Sequence, residues 1–185
     1  VASFLEALLS AAERPGCGVD GVLWTRHIAI KGKPTRLEHT PLHGHQTLME
    51  RLEVEGAPGL DFEIHPRAFF QPNTLQAEVL YAEVLRATGL SAAKGSARVM
   101  DLYCGTGTIG LAMAHASREV IGIELSPEAV ASARANAARN DVDNIVFFQG
   151  DVGDVLEAEG LCEPGAVDVV VVDPPRAGLL PSAMA

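Results

Sequence analysis

Cysteine is scarce in this sequence. The chain has three cysteines, Cys17, Cys104 and Cys162, at irregular intervals. Three scattered thiols are too few for a disulfide framework and lack the paired spacing of a zinc site. Because disulfides are the norm in small secreted domains, their absence here favours a reducing compartment. We therefore expect a cytoplasmic protein whose thiols stay free.

The sequence also lacks a long apolar run. A membrane-spanning helix needs about 18 or more predominantly apolar residues in succession, and no segment of the 185 residues supplies them. The first 20 residues do not combine a basic start, an apolar stretch and a small-residue cleavage site. We expect no membrane partner and no secretory signal in this sequence.

Basic residues are also few. The 14 lysines and arginines face 24 acidic residues, which gives a net charge of -10 and argues against a free-standing nucleic-acid-binding module. Residues 1–95 carry 9 basic against 11 acidic residues, whereas residues 96–185 carry 5 against 13. Five of the six histidines also lie in the first half. An anionic polymer that touches the chain should therefore touch the N-terminal half; the alternative is a solvated acidic surface with no partner.

Three histidines, His39, His43 and His45, cluster in a polar segment. No cysteine or acidic residue joins them at the spacing of metal ligands, so we expect no metal site in this chain.

The first third of the sequence predicts a small α+β lobe. Apolar residues recur at helical spacing over residues 3–13. Extended segments are predicted at Val19–Ile30, Arg36–Glu38, Leu52–Val54 and Leu60–Ile64, with Gly44 and Gly56 as breaks. We assign residues 1–66 to this lobe and residues 67–185 to a second domain.

Helices and strands alternate in the second domain. A helix over residues 75–88 has Thr74 as its predicted N-cap and an apolar face made of Leu75, Val79, Leu80, Val84 and Leu85. Strands are predicted at Arg98–Leu102, Val120–Glu124, Ile145–Gln149 and Val167–Val172, with helices over residues 109–116 and 127–140 between them. Because each strand is nearly all apolar, this order predicts a parallel sheet covered on both faces.

A glycine-rich loop follows the first of these strands. It runs from Asp101 through Gly105 and Gly107 to Gly110, where a helix has begun. The glycines allow a tight turn and a close approach of the backbone to a ligand, and the start of a helix offers free N–H groups. Gly105 and Gly107 should therefore contact a cofactor, but this spacing suits a nicotinamide dinucleotide as well as S-adenosylmethionine.

Acidic residues at the ends of the next two strands narrow the choice of ligand. Glu124 ends the second strand about 20 residues beyond the first glycine, where a carboxylate can accept hydrogen bonds from both ribose hydroxyls. Asp151 follows the third strand, where a side chain can meet the amino group of adenine. The alternatives are a helix-capping or surface acid at Glu124 and a turn former at Asp151.

An Asp-Pro-Pro-Arg turn closes the fourth strand. Asp173 and the two prolines put a carboxylate and backbone carbonyls at the carboxyl edge of the sheet, where ligands of such sheets bind. An oxidoreductase has no evident need for this turn. A methyltransferase needs such a turn if it holds the edge of a planar base against a methyl donor. The alternative is a rigid turn set by the prolines.

With these motifs the sequence resembles the RNA uracil-C5 methyltransferases, which form 5-methyluridine in transfer RNA and ribosomal RNA. The matching segments are Phe69–Asn73, Asp101–Gly110, Val120–Glu124 and Asp173–Leu179. The resemblance implies an α/β protein with the Rossmann-like class I fold of S-adenosylmethionine-dependent methyltransferases, incomplete at the C-terminus and preceded by a small α+β lobe. It also implies an RNA substrate, transfer RNA before ribosomal RNA, and a monomer.

The resemblance assigns residues to the site. The residues expected around the cofactor are Gln71, Tyr103, Gly105, Gly107, Thr108, Glu124, Asp151 and Asp173. Gln71 and Asp173 are also expected to touch the target uracil. Thr108 stands at a position where the family varies, and Tyr103 could instead be a core aromatic beside the loop.

The family's reaction needs residues that this sequence does not provide. C5 of uracil is a poor nucleophile, so in the family a cysteine thiolate adds to C6 of a flipped-out base and a glutamate later removes the C5 proton. Both residues are expected beyond Ala185, the cysteine in a Ser-Cys-Asn-Pro-like loop. No catalytic residue is therefore assigned here, and the chain by itself is predicted to transfer nothing.

Two other functions stay open. One is a methyltransferase that acts on an amino group of another base or of a protein; such enzymes carry an aromatic residue after Asp-Pro-Pro, where this sequence has Arg176. The other is a catalytically inactive module that binds S-adenosylmethionine or RNA.

Overall fold

A computed structural model of the chain describes residues 1–14, 17–33, 35–66, 68–90, 95–176 and 178–179. Contacts divide the chain into two compact units, Val1–Leu48 and Met49–Ala185. This division comes earlier than the predicted boundary after residue 66.

The first unit contains one helix and one hairpin. Helix α1 spans Ala2–Ala12, close to the predicted residues 3–13. Strands β1 (Gly21–Ile28) and β2 (Arg36–Gly44) pair antiparallel, with Ile28 opposite Arg36 at the turn and Gly21 opposite Gly44 at the open end. Strand β2 therefore continues to Gly44, which the sequence suggested as a break, because its backbone pairs with β1 up to that residue, with one shift of register opposite Val22 and Leu23.

From residue 74 onward the second unit alternates helices and strands, as predicted except for one short helix. Its elements are β3 (Leu48–Leu52), β4 (Leu60–Ile64), α2 (Thr74–Thr88), β5 (Arg98–Leu102), α3 (Thr108–Ala114), β6 (Glu119–Glu124), α4 (Pro127–Arg139), β7 (Ile145–Gln149), α5 (Val152–Ala158) and β8 (Val169–Val172). Helix α4 begins where the sequence predicted. The Ser126 hydroxyl caps it by accepting a hydrogen bond from Ala129 N–H at 3.2 Å, and Pro127 occupies the first helical position.

A parallel four-stranded sheet in the order β7-β6-β5-β8 forms the centre of this unit. Successive strand residues point to opposite faces, so β5 contributes to two separate apolar clusters. Val99 belongs to a large cluster that also contains Leu111 of α3, whereas Met100 and Leu102 belong to a smaller one with Leu156 of α5. The prediction of an α/β protein with a parallel sheet covered on both faces is confirmed.

Two asparagine side chains of α4 form hydrogen bonds with the backbone of strand β4. Asn140 Oδ1 accepts from Asp61 N–H and Asn140 Nδ2 donates to Asp61 O, each at 2.8 Å. One turn earlier, Asn136 Oδ1 accepts from Glu63 N–H at 2.9 Å. These contacts, with Phe62 buried in the large cluster, explain why residues 49–66 group with the second unit although the sequence suggested the first.

Helix α2 differs from its prediction at its cap and at its buried face. Its N-cap is Asn73, whose Oδ1 accepts from Gln76 N–H at 3.2 Å, and not Thr74. Its buried side chains are Ala77, Tyr81, Ala82 and Leu85, of which only Leu85 belongs to the predicted face. Leu75 and Val79 of that face are 72% and 53% exposed. Both sets of residues recur at helical spacing, and packing selected the set whose small alanines let the helix approach the core closely.

Helix α5 was not predicted. It has only seven residues, and its N-cap is Asp151, whose Oδ1 accepts from Gly153 N–H at 3.0 Å. A segment this short shows little of the apolar periodicity on which sequence prediction depends. Among the residues the structure describes, no helix has the length and apolar character needed to cross a membrane.

Candidate functional site

The carboxyl ends of the four parallel strands meet at one edge of the sheet. Strands β6 and β7 lie on one side of β5, and β8 lies on the other, so the connections diverge at β5. In open α/β sheets, ligands bind at the carboxyl edge beside such a switch point. The last residues of β5 and β8, Leu102 and Val172, are paired there.

A cavity opens at this point. It is lined by Phe69, Phe70, Gln71, Tyr81, Asp101, Tyr103, Cys104, Gly105, Thr106, Thr108, Ile109 and Asp173. Five residues that the sequence assigned to the cofactor are among them, namely Gln71, Tyr103, Gly105, Thr108 and Asp173. The segment that follows β4, the glycine loop and the Asp-Pro-Pro turn thus meet at one place, although they are far apart in the sequence.

The two glycines of the loop have different structural roles. Gly105 has φ +54°, and a Cβ added to it would meet no atom within 4 Å. Gly107 has φ +81°, and its Cβ would lie 2.9 Å from Phe147 Cζ. Both backbone conformations favour glycine. Gly107 is required for packing of the loop against the sheet, whereas Gly105 leaves open space where a ligand can approach the backbone.

Glu124 is held by two backbone donors. Its Oε2 accepts from Gly105 N–H at 3.0 Å, and its Oε1 accepts from Ser126 N–H at 2.8 Å. Each carboxylate oxygen keeps a further acceptor site. Glu124 is thus oriented by the glycine loop, and α4 is capped by Ser126 instead. A fixed carboxylate with two available acceptors suits a pair of neighbouring hydroxyl groups.

Asp101 is a site residue that the sequence assignment missed. It is 1% exposed, its Oδ2 accepts from Gly110 N–H at 2.8 Å, and its Oδ1 is buried without a hydrogen-bond partner. Burial raises the pKa of this carboxyl to about 7; the Gly110 hydrogen bond opposes the shift, and the charges of Asp173 and Glu124 add to it. The available signal was an acidic residue between the apolar residues Met100 and Leu102 of a strand.

Two tyrosines contribute hydroxyl groups beside the cavity. Tyr103 has a left-handed backbone, with φ 63°, and its hydroxyl is buried without a partner. Tyr81, which the sequence assignment also missed, interacts with the Thr108 hydroxyl at 3.4 Å. Burial raises the pKa of Tyr81, so this phenol stays protonated and can donate. Its position four residues from both Ala77 and Leu85 was the signal that it faces inward.

The remaining predicted residues lie at the edge of the site or outside it. Asp151 follows β7 at the carboxyl edge and caps α5, but it does not line the cavity. Gly150 N–H bonds to the Glu124 carbonyl at 3.0 Å, which ties this segment to the end of β6. The role of Asp151 toward adenine therefore stays a prediction.

The described residues contain no group of three His, Cys, Asp or Glu side chains that could hold a metal ion. In the histidine segment, His39 lies in β2, where its Nδ1 is 2.8 Å from Thr25 Oγ1.

Cys104 lies in the cavity wall, but its thiol is poorly placed for nucleophilic chemistry. Burial raises the pKa of this thiol strongly, and the charges of Asp101 and Glu124 raise it further. A Cβ added to Gly122 would lie 2.9 Å from Cys104 Sγ, so the sulfur packs closely against strand β6 at this glycine. Because the reactive form is the thiolate, this environment favours a structural role. Cys17 and Cys162 are exposed.

The charge of the site selects among ligands. Asp101, Glu124 and Asp173 are close enough for the last two to shift the pKa of the first. Among the described residues that line the cavity, none is a lysine or an arginine. A negative site without a basic residue disfavours a pyrophosphate and favours a ligand that carries positive charge.

Comparison with known proteins shows similarity to methyltransferases. Residues 93–179 match a family model described as a methyltransferase domain. An uncharacterized RNA methyltransferase of Protochlamydia amoebophila is 48% identical over 153 residues, covering 80% of this chain and 34% of that protein. An uncharacterized RNA methyltransferase of Chlamydia trachomatis is 37% identical over 164 residues, covering 89% of this chain and 40% of that protein.

A solved structure is also similar. The crystal structure of Pyrococcus abyssi tRNA (uracil-54, C5)-methyltransferase in complex with S-adenosyl-L-homocysteine has a TM-score of 0.61 and 29% sequence identity. The match covers 89% of this chain and 37% of that one. The chain thus spans between a third and two fifths of the length of these three proteins. The predicted S-adenosylmethionine-dependent methyltransferase fold is confirmed.

Proposed function

We propose that the chain binds S-adenosylmethionine and serves methyl transfer to C5 of uridine in RNA, transfer RNA above all. The proposal is supported by its similarity to proteins named as RNA methyltransferases and by its match to a methyltransferase domain. The cofactor supplies an electrophilic methyl group on a sulfonium centre. The residues of this chain bind and orient it.

The observation that carries the cofactor proposal is the acidic site around the glycine loop. S-adenosylmethionine has an ammonium group, a sulfonium and a ribose with two neighbouring hydroxyls. Asp101 has a buried oxygen without a partner, Glu124 has two acceptors fixed by backbone N–H groups, and Gly105 leaves open space. These features fit a cationic nucleoside better than a dinucleotide, whose pyrophosphate would lie near the acidic residues Glu124 and Asp173.

The proposal of uracil C5 has two supports. One is the similarity to the Pyrococcus abyssi enzyme, which extends over most of this chain. The other is the segment Phe69–Gln71, which belongs to the Phe-Phe-Gln-x-Asn element that general methyltransferases lack and which lines the same cavity as Asp173. Gln71 and Asp173 both line the cavity, so we propose that they hold the edge of the uracil ring beside the cofactor.

We propose that none of the three cysteines of this chain is the nucleophile and that the chain alone does not transfer methyl groups. Cys104 is buried, and both its burial and its acidic neighbours oppose the thiolate. Free, unpaired thiols at all three positions fit the reducing environment of the cytoplasm.

Calorimetric titration of the 185-residue chain with S-adenosylhomocysteine tests cofactor binding. We expect Glu124→Ala to weaken binding at least about tenfold, because two charge-assisted hydrogen bonds are lost. The matched control is Glu157→Ala, which removes an exposed acid from α5. No binding by the folded wild-type chain, or equal weakening by the two variants, would contradict the proposal.

Product analysis tests the target atom. The natural protein that contains this chain is incubated with unmodified transfer RNA or ribosomal RNA and S-adenosylmethionine, and the digested nucleosides are identified by mass spectrometry. We expect 5-methyluridine. Methyl groups on amino nitrogens of other bases would favour the alternative enzyme class, and cofactor binding without transfer to either RNA would favour an inactive module.

A further inference from the structure

The basic residues of the first unit are concentrated on its hairpin. The unit Val1–Leu48 carries 5 basic and 4 acidic residues together with four histidines, whereas Met49–Ala185 carries 9 basic and 20 acidic residues. Residues 21–44 contain a single acidic residue, Glu38, and four basic residues, Arg26, Lys31, Lys33 and Arg36. A polyanion is therefore attracted by the hairpin and repelled by most of the remaining chain.

An exposed aromatic ring lies on the same face as two of these basic residues. Trp24 is the single tryptophan of the chain, and it is 48% exposed. Its cross-strand partner is Thr40, and the next pair on that face is Arg26 with Glu38. The pair after that is Ile28 with Arg36. Because alternate residues share a face, Trp24 and the two arginines form one surface, the Trp24 face.

One carboxylate holds both arginines in place. Arg26 Nε donates to Glu38 Oε2 at 3.2 Å, and Arg36 donates to Glu38 Oε1. The hydrogen bond from Arg26 lowers the pKa of Glu38, so the carboxylate stays charged. The arginine side chains are nevertheless 66% and 72% exposed. Two cations that share one anion leave net positive charge and unused guanidinium donors beside the indole ring.

We propose that the Trp24 face binds a single-stranded segment of RNA, with a base stacked on Trp24 and phosphates held by Arg26, Arg36 and the turn residues Lys31 and Lys33. Aromatic rings combined with basic side chains are the usual means of holding single strands, since every base has a π-face. A base inside a duplex has no free face for the indole. The inference rests on the proposed RNA substrate and names the part of the chain that holds it.

Tryptophan fluorescence tests this directly, because Trp24 is the only source of the signal. The 185-residue chain is titrated with a short oligouridylate at low salt. We expect quenching that saturates with RNA, and an affinity that falls steeply as salt is raised. Duplex RNA at equal phosphate concentration should quench much less.

Variants separate stacking from charge, with binding followed by anisotropy of labelled oligouridylate. We expect Trp24→Ala to weaken binding about tenfold and Trp24→Phe to keep most of it, because phenylalanine still stacks. The double variant Lys31→Glu and Lys33→Glu should weaken binding about tenfold or more and reduce the salt slope. Arg118→Glu, a change at an exposed basic residue of the second unit, is the control and should leave binding within about twofold of wild type.

Several results would overturn the inference. These are the absence of quenching at low salt, equal quenching by duplex RNA, and equal weakening by Arg118→Glu. A fluorescence change that depends on protein concentration without RNA would show that a second copy covers the Trp24 face, and this too would overturn it. Titration of the same samples with S-adenosylhomocysteine distinguishes the two proposals, since cofactor binding without RNA binding refutes the Trp24 face alone. Failure of the folded chain to bind S-adenosylhomocysteine refutes the proposed function.

Discussion

A single methyl group added at Gly107 tests how closely the glycine loop packs against the sheet. In Gly107→Ala the new Cβ would lie 2.9 Å from Phe147 Cζ, 3.1 Å from Phe147 Cε1 and 3.3 Å from Ala133 Cβ. Phe147 is buried in the large apolar cluster, so its ring has little space into which to move. The substitution also puts an L-residue at φ +81°.

Two separate effects destabilise this variant. A left-handed backbone conformation costs an alanine roughly 1–2 kcal/mol. Overpacking a well-filled core costs roughly 1–3 kcal/mol more. We therefore expect Gly107→Ala to lower the free energy of unfolding by about 2–5 kcal/mol. Gly105→Ala is the matched control, because φ is +54° there and no atom lies within 4 Å of the new Cβ. It should lose only the backbone contribution, about 1–2 kcal/mol.

Urea unfolding followed by far-ultraviolet circular dichroism measures both variants. The difference between them isolates the contact with Phe147 and should be about 1–3 kcal/mol. Equal losses would refute the reasoning, because they would mean that the ring moves aside without cost. Calorimetry with S-adenosylhomocysteine adds a second readout, since the Cβ of Gly105→Ala projects into open space beside the cavity. That variant should bind the cofactor product more weakly while it keeps most of its stability.

Two further substitutions follow from buried polar groups. The folded chain raises the pKa of Asp101 from 3.8 to about 7, so it binds this proton more tightly than the unfolded chain, and stability should fall as the pH rises from about 4 to about 7. Asp101→Asn should remove this pH dependence and raise the free energy of unfolding at pH 8 by up to about 4 kcal/mol. Urea unfolding at several pH values measures the effect. An unchanged pH dependence in the variant would contradict the raised pKa of Asp101. Asn140→Ala removes both hydrogen bonds to the Asp61 backbone and should cost about 1–3 kcal/mol in the same assay. The exposed Asp143→Ala is its control, and equal losses would mean that β4 does not depend on α4.

Much of the second unit could be predicted because its signals are local. Strands β5 and β7 have the predicted bounds, since a run of apolar residues between polar turns leaves few alternatives to a buried strand. The start of α4 was readable because Ser126, Pro127 and Glu128 each satisfy a need of a helix N-terminus within one turn. The glycine loop and Glu124 were readable because the spacing that brings them together is set by one strand-helix-strand unit.

The order of the elements, the glycine loop and the acidic residues that end the strands therefore follow from local patterns in the sequence. Three features depend on the folded chain: which face of α2 is buried, the attachment of β4 to the second unit through Asn136 and Asn140, and the Asp101 oxygen without a partner. The reason is physical: a helical period or an apolar run is satisfied by neighbours within a few residues. Burial and hydrogen-bond satisfaction depend instead on segments such as Asp61 and Asn140, which are 79 residues apart and meet only in the folded chain.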